Sequence, residues 1–504
     1  MKIAIIGGGI SGIAAARVLI KSGHQAVIFE RGPSLGGVWA VAYPEVRLQN
    51  IAEHYRMSDV PWPFAADLHP TREQILKYLH SVVNNERIDL RPQHEVTALQ
   101  ESPNGWSVTY RHDGKDSTEH FDYALVAGGQ YTGAPKKVQL ADREKFTGQV
   151  ITDRDVLDLK ILNQKEIAVV GFGKSAVDMA TFAAERGAQV HHVFRTPRWL
   201  LPKYIFGLHM STLIFARMSS VMVPSWVQPT AAERFLHTKL SPLVKGFWSM
   251  IETIIRQESG LHGRHRDPEV RRRMRVLEPE SSATFEMRSA TALAPEKYYP
   301  MVVKGRIEPH RAEAVGLGPR SLKLSDGSEV PCDLVILSTG YESPSFPYLP
   351  AKYRALIEGE EDGMQLYRHL LHPRIPRLAF AGFNHGFLHV PSVEISMLWL
   401  SAHLRGDLAL PPVDEMERRI EEIRSWKRQN TLFEPSRGCA ISTRFHQYAD
   451  VLLNDLGMNP YRKSNPLAEL LSPYVASDYA GLVPEYERLR TTLQLPRRPQ
   501  PLST

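Results

Sequence analysis

Cysteine is nearly absent. Only Cys332 and Cys439 occur in 504 residues, and they lie far apart in sequence. No C-x-x-C is present, which argues against a redox dithiol and a cysteine-based zinc site. The 20 histidines are scattered without metal-ligand spacing, so no metal site is expected. No apolar run is long enough for a clean membrane span. The nearest, Tyr204 to Val223, is interrupted by His209 and Arg217 and reads as a buried or channel-lining helix, with at most weak membrane-surface association. Met1 to Ile6 is too short for a signal core and is explained by a first strand; with so little cysteine, a cytoplasmic location is expected. Net charge is only +6. That mild basic excess fits anionic small molecules and does not by itself imply nucleic acid. The 43% apolar and 23% charged content is that of a soluble globular chain, with room for about three domain-sized units.

Glycine is placed where it counts. Gly7-Gly8-Gly9-Ile10-Ser11-Gly12 gives G-x-G-x-x-G at Gly7, Gly9 and Gly12. Gly171-Phe172-Gly173-Lys174-Ser175-Ala176 gives the same turn with Ala in the third position. Each follows an apolar run, Lys2 to Ile6 and Glu166 to Val170, and opens into a helix-like stretch. The first Gly permits the strand-to-helix turn, the second lets backbone approach a pyrophosphate, and the third allows close helix–strand packing, where Ala is tolerated. Helix N–H groups and the positive end of the dipole then favour phosphates.

A second short run closes each unit, Ala26 to Phe29 and Val190 to Phe194. The residue after it decides the nucleotide. Glu30 accepts hydrogen bonds from ribose hydroxyls and repels a 2′-phosphate, so the first site fits FAD or NAD. Arg195, with Arg198 and Lys203 nearby, accommodates a 2′-phosphate, so the second fits NADPH. A lone loop of this kind often marks an ordinary βα turn, and a lone Arg is often a solvated charge. The two units support each other.

The remaining chain repeats one plan. Trp106 to Arg111 alternates and is followed by the turn His112-Asp113-Gly114-Lys115. Residues 122–131 then read as a buried strand ending in a Gly turn. The unit returns at Asp333 to Tyr341, after a hairpin-like stretch turning at Asp326-Gly327. Residues 200–300 interrupt the rhythm with helices, among them Pro242 to Arg256. The run Arg264, Arg266, Arg271, Arg272, Arg273 and Arg275 reads as a solvated helix face. Residues 365–412 return to strand then helix. The Pro-rich tail is expected at the periphery. The fold expected is α/β, with two Rossmann-like dinucleotide-binding domains, the second inserted in the first, and a helical insert. The FAD-binding domain is expected over 1–155 and 310–460, the NADPH-binding domain over 156–309, and the tail over 461–504.

Further motifs carry a resemblance over roughly residues 1–460. They are Gly36-Gly37-Val38-Trp39, Arg47-Leu48-Gln49-Asn50, Tyr55, Ser58-Asp59-Val60-Pro61-Trp62-Pro63, His69-Pro70-Thr71, Ser338-Thr339-Gly340-Tyr341, Leu366-Tyr367-Arg368 and Val393-Glu394. With these the chain resembles the flavin-containing monooxygenases. The second loop, Arg195-Thr196-Pro197-Arg198-Trp199 and the stretch Ile441 to Asp450 are similar to the plant branch known for amine N-hydroxylation. Two places depart from the family pattern: Thr152 stands in the histidine position of F-x-G-x-x-x-H, and Ala127-Gly128-Gly129 replaces the first A-T-G.

The resemblance implies FAD and NADPH as cofactors, and a reduced flavin that meets O2 to give a C4a-hydroperoxide. Cofactor chemistry of this kind leaves orientation and shelter to the protein. It implies flavin contacts at Gly7, Gly9, Ser11, Gly12, Glu30, Arg31, Gly37, Val38, Trp39 and Val96. NADPH contacts fall at Gly171, Gly173, Lys174, Ser175, Ala176 and Arg195, and the linker at Thr339, Gly340 and Tyr341. Asn50, then Gln49, are the candidates to hydrogen-bond the peroxide or NADP⁺. The expected substrate is a small soft nucleophile, an amine nitrogen or a sulfide. The alternatives are a Baeyer–Villiger oxygenase acting on ketones, an NADPH oxidase or reductase, and a non-catalytic flavoprotein.

Overall fold

The computed structural model describes residues 1–130, 133–227, 229–287, 292–432 and 437–492. Tyr131, at the end of the expected 122–131 unit, and the Pro-rich end lie outside the described residues.

Two five-stranded parallel sheets organise the molecule. The first runs Leu378–Phe380, Tyr123–Val126, Lys2–Ile6, Gln25–Phe29, Asp89–Arg91. The second runs Ile307–Arg311, Gln189–Phe194, Glu166–Val170, Leu334–Leu337, Gln149–Thr152. Its strands all fall between two strands of the first sheet, so the second unit is an insertion in the first. The central strands Lys2–Ile6, Tyr123–Val126, Glu166–Val170 and Leu334–Leu337 are short apolar runs buried on both faces, as parallel strands under helices must be, while the edge strands Asp89–Arg91 and Gln149–Thr152 are more exposed. Each sheet is accompanied by a three-stranded antiparallel ribbon. One comprises Glu95–Ser102, Gly105–His112 and Lys115–Phe121; the other comprises Ala314–Gly318, Ser321–Leu324 and Glu329–Pro331. The first ribbon turns at Asp113 and Gly114, both at positive φ, the conformation an Asp-Gly hairpin requires.

Three expectations need correction. The second sheet reaches beyond 156–309: strands Gln149–Thr152 and Leu334–Leu337 pair into it and the ribbon between 314 and 331 packs against it, because strand pairing rather than loop position sets the boundary. Tyr204 to Val223 is not one helix. It breaks into a small hairpin, Tyr204–Ile205 with Leu208–His209, and short helices Met210–Ile214 and Arg217–Val221. Arg217 there is buried and held by Asp450 and Glu469. Nor are residues 461–492 peripheral: Tyr474, Tyr479 and Tyr486 are buried in the core of the first unit.

Helix His389–Leu404 is buried on nearly every side, as expected for a helix apolar all round. It packs on helix Ile10–Lys21, which carries the first loop. Buried Arg17 of that helix pairs with Asp59, Glu86 and Glu394. Insert helices Ser241–Glu258 and Pro268–Val276 are amphipathic surface helices. In the arginine run, Arg271 donates to the carbonyl of His265, Arg273 to that of Val302, and Arg272 pairs with Glu269 and Glu308, as a solvated structural face does.

Candidate functional site

The two glycine loops have the same backbone. Gly7 has φ +119° and Gly171 φ +124°, values open to glycine and strained for other residues. Gly7 N–H donates to the carbonyl of Phe29, and Gly171 N–H to that of Val193, each at 2.9 Å. Each following helix spans 12 residues, Ile10–Lys21 and Lys174–Glu185. Gly9 and Gly173 cap them at φ −78° and −79°, and neither helix has a side-chain cap. The first-turn N–H groups are left for an anion.

Around this shared turn the surroundings differ. A Cβ on Gly12 would lie 2.0 Å from the carbonyl oxygen of Gly7, so the first helix sits tight on its strand. Ala176 occupies the matching place in the second loop without conflict. Gly37 packs over Gly9, its Cα 3.5 Å from where a Cβ would stand, whereas Gly173 faces open space. Glu30 accepts from Gly8 N–H and Gly32 N–H, each at 2.7 Å. An ionised carboxylate has about four acceptor positions, so two remain for ribose hydroxyls. Arg31 is exposed beside it. His94 N–H donates to the Glu30 carbonyl, which brings the start of strand Glu95–Ser102, with buried Val96, against the same corner. Ser11 Oγ lies 2.9 Å from His389 Nε2.

The second loop borders a cleft of about 1510 Å³ between the two units. That exceeds the about 300–1,000 Å³ of ordinary small-ligand pockets and suits a dinucleotide beside a second ligand. Gly171, Gly173, Lys174 and Ser175 line it, with Arg195, Thr339, Gly340 and Tyr341. Lys174 is 2.5 Å from buried Asp178, which also accepts from Tyr43 OH at 2.8 Å. Arg195 is 78% exposed and its carboxylate neighbour Glu313 is 3.9 Å away, so the guanidinium is open to a ligand phosphate. Tyr341 OH donates to Asp153 at 2.8 Å, and Arg154 lies 4.1 Å over its ring. Lys136, Lys137, Lys174 and Arg195 make this end electropositive.

Val38, Trp39, Gln49 and Asn50 line the other end. Trp39 Nε1–H donates to Tyr55 OH at 3.0 Å. Asn50 Nδ2 donates to the carbonyl of Phe387 at 2.6 Å, and Gln49 Oε1 accepts from Leu293 N–H at 2.8 Å. Both amides are thus partly engaged by backbone. Burial holds His389 well below the ordinary imidazole value, at about 4, so it is neutral at pH 7. Of the expected residues, Val38, Trp39, Gln49, Asn50, Gly171, Gly173, Lys174, Ser175, Arg195 and Thr339 to Tyr341 line the cleft, Gly7, Gly9, Ser11, Gly12, Glu30, Arg31 and Gly37 belong to the first loop and its corner outside that lining, and Ala176 and Val96 are packing positions. Thr152 binds Asp155 through both N–H and Oγ, each 2.8 Å, and ends a strand. Gly128 has nothing near its missing side chain.

Tyr43, Phe387 and His389 carry no local sequence signal, and His69 and His209 stand in the sequence without a role at the site, because their contacts here join residues far apart in the chain.

A family model described as pyridine nucleotide-disulphide oxidoreductase matches residues 4–231. A "Probable flavin-containing monooxygenase 1" of Arabidopsis thaliana is 29% identical, covering 95% of this chain and 96% of its own. Among solved structures, an S-allyl-L-cysteine S-oxygenase from Allium sativum aligns with TM-score 0.62 and 19% identity over 99% of this chain and 95% of its own. An open cyclohexanone monooxygenase aligns with TM-score 0.67 and 18% identity over 90% and 97%. At such identity the solved structures speak for the fold alone. Among the described residues no helix is long and apolar enough to cross a membrane, and no group of three metal-ligating side chains occurs.

Proposed function

We propose that the chain, which is similar to flavin-containing monooxygenases, is an FAD- and NADPH-dependent enzyme of that kind and transfers one oxygen atom of O2 to the nitrogen of an amine or the sulfur of a sulfide. The balance is substrate + NADPH + H⁺ + O2 giving oxygenated substrate + NADP⁺ + H2O. The observation that carries this reading is the pair of matched loops with opposite charges at their ribose corners, Glu30 at one and Arg195 at the other.

Bound FAD supplies hydride acceptance and oxygen activation. The remaining work belongs to this chain. The first loop, with Gly7, Gly9, Ser11 and Gly12, offers its N–H groups to the FAD pyrophosphate, and Glu30 takes the ribose. Gly37, Val38 and Trp39 close over that loop. The second loop, with Lys174 and Arg195, holds the NADPH phosphates, and Thr339 to Tyr341 border it. Asn50 keeps its Oδ1 and one N–H for the reacting oxygen or the nicotinamide amide, since its other N–H is spent on Phe387. The apolar wall of Ile214, Phe215 and Leu293 excludes water.

The test is turnover of the FAD-loaded enzyme with NADPH in air, using amines, sulfides and ketones in parallel. N-oxide, hydroxylamine or sulfoxide formed in proportion to NADPH consumed is expected. Lactone or ester from the ketones would replace this reading with a Baeyer–Villiger one. Hydrogen peroxide alone would replace it with an oxidase.

A further inference from the structure

The insert reaches the Asn50 segment at three points. Leu293 N–H donates to Gln49 Oε1. Phe215 stacks on His54 at 3.6 Å and meets the Phe387 ring edge-on at 5.6 Å, and the Phe387 carbonyl is what Asn50 Nδ2 binds. The third contact is a histidine pair, His209 Nε2 to His69 Nε2 at 3.1 Å.

The partners fix the protons of that pair. His69 Nδ1 faces the carbonyls of Leu48 and Asn50 at 3.1 and 3.2 Å. Carbonyls only accept, so Nδ1 carries the proton and Nε2 is an acceptor. His209 Nδ1 receives Ser211 N–H at 3.2 Å and lies 2.7 Å from Ser211 Oγ. That nitrogen is therefore bare, and His209 Nε2–H donates to His69. Donation runs in one direction, from Ser211 through His209 and His69 to the backbone on both sides of Gln49. Burial, with Lys203 nearby, lowers both imidazoles and keeps them neutral.

Asn50 is thus held at both ends: its carbonyl by His69, its amide by Phe387. We infer that the insert is a positioning clamp for Asn50, and that His209 is the positioning residue through which the clamp acts. This rests on the monooxygenase reading above. A released clamp loosens the shelter over bound FAD, and NADPH + H⁺ + O2 then gives NADP⁺ + H2O2 in place of oxygenated product.

The experiment compares wild type, His209→Phe and His209→Gln as FAD-loaded full chains. Phe keeps the ring and its edge contact with Tyr204 but has no N–H; Gln keeps a donor at the position of Nε2. Hydrogen peroxide released per NADPH is the readout, with FAD content, Tm and NADP⁺ affinity as controls. Expected is a rise in His209→Phe of up to about tenfold, the factor that about 1.4 kcal/mol commands. FAD content and Tm should hold, and His209→Gln should return toward wild type. Equal peroxide in wild type and His209→Phe overturns the clamp, as does equal leakage from Phe and Gln. If wild type itself forms no oxygenated product, the monooxygenase reading fails instead.

Discussion

The two glycine loops are the same device in opposite settings. Their φ angles agree within a few degrees and both launch 12-residue helices without side-chain caps. Yet the first is closed in, with Gly37 over Gly9, Glu30 tied to two backbone N–H groups, and Ser11 against His389. The second stands open to the cleft, with free space at Gly173 and Arg195 largely in solvent. A motif sets what is bound; its surroundings set whether the ligand stays. We propose that the first site retains a resident FAD and the second exchanges NADPH for NADP⁺.

The largest effect is expected at the open loop. Arg195→Ala should raise KM for NADPH about 10- to 100-fold, since a charge-assisted hydrogen bond contributes about 1.5–3 kcal/mol. KM for NADH should hardly move, because NADH has no 2′-phosphate. Steady-state kinetics with both nucleotides checks it, and equal losses would remove the charge distinction between the sites.

A smaller effect separates the closed side. Helix Ile10–Lys21 rests through Arg17 on Glu394, whose carboxyl burial pushes up to about 7, against hydrogen bonds from Ser58 and the charge of Arg17. The folded protein therefore keeps a proton that the unfolded chain loses near the ordinary glutamate value of about 4.5. Stability falls as pH rises from there to about 7. Glu394→Gln should flatten Tm against pH in that window and leave NADPH kinetics unchanged.

Much of this contrast is legible in sequence, and the reason is local. Within each unit the strand, the loop, the helix and the ribose-corner residue fall in one short stretch, Lys2 to Glu30 and Glu166 to Arg195, so strand, turn and helix signals add. The Asp113-Gly114 and Asp326-Gly327 turns are legible for the same reason. Helix His389–Leu404 is readable as an apolar stretch, but not that its first residue meets Ser11. Asn50 with Phe387, Gln49 with Leu293 and His69 with His209 join residues 140 to 337 positions apart. No periodicity encodes such pairs; the packing of the insert on the first unit does. The second unit's boundary is hidden from the sequence for a related reason, since strand Gln149–Thr152 precedes the loop yet pairs through Leu334–Leu337 with a sheet built around later strands.

The most direct test is a matched pair of substitutions, Gly9→Ala and Gly173→Ala, each adding one methyl where a pyrophosphate is to approach. FAD content after gel filtration and NADP⁺ binding by titration are measured on both. The account predicts that Gly9→Ala loses bound FAD, while Gly173→Ala stays yellow, keeps its Tm and loses NADP⁺ affinity. FAD lost from Gly173→Ala and retained by Gly9→Ala would contradict it.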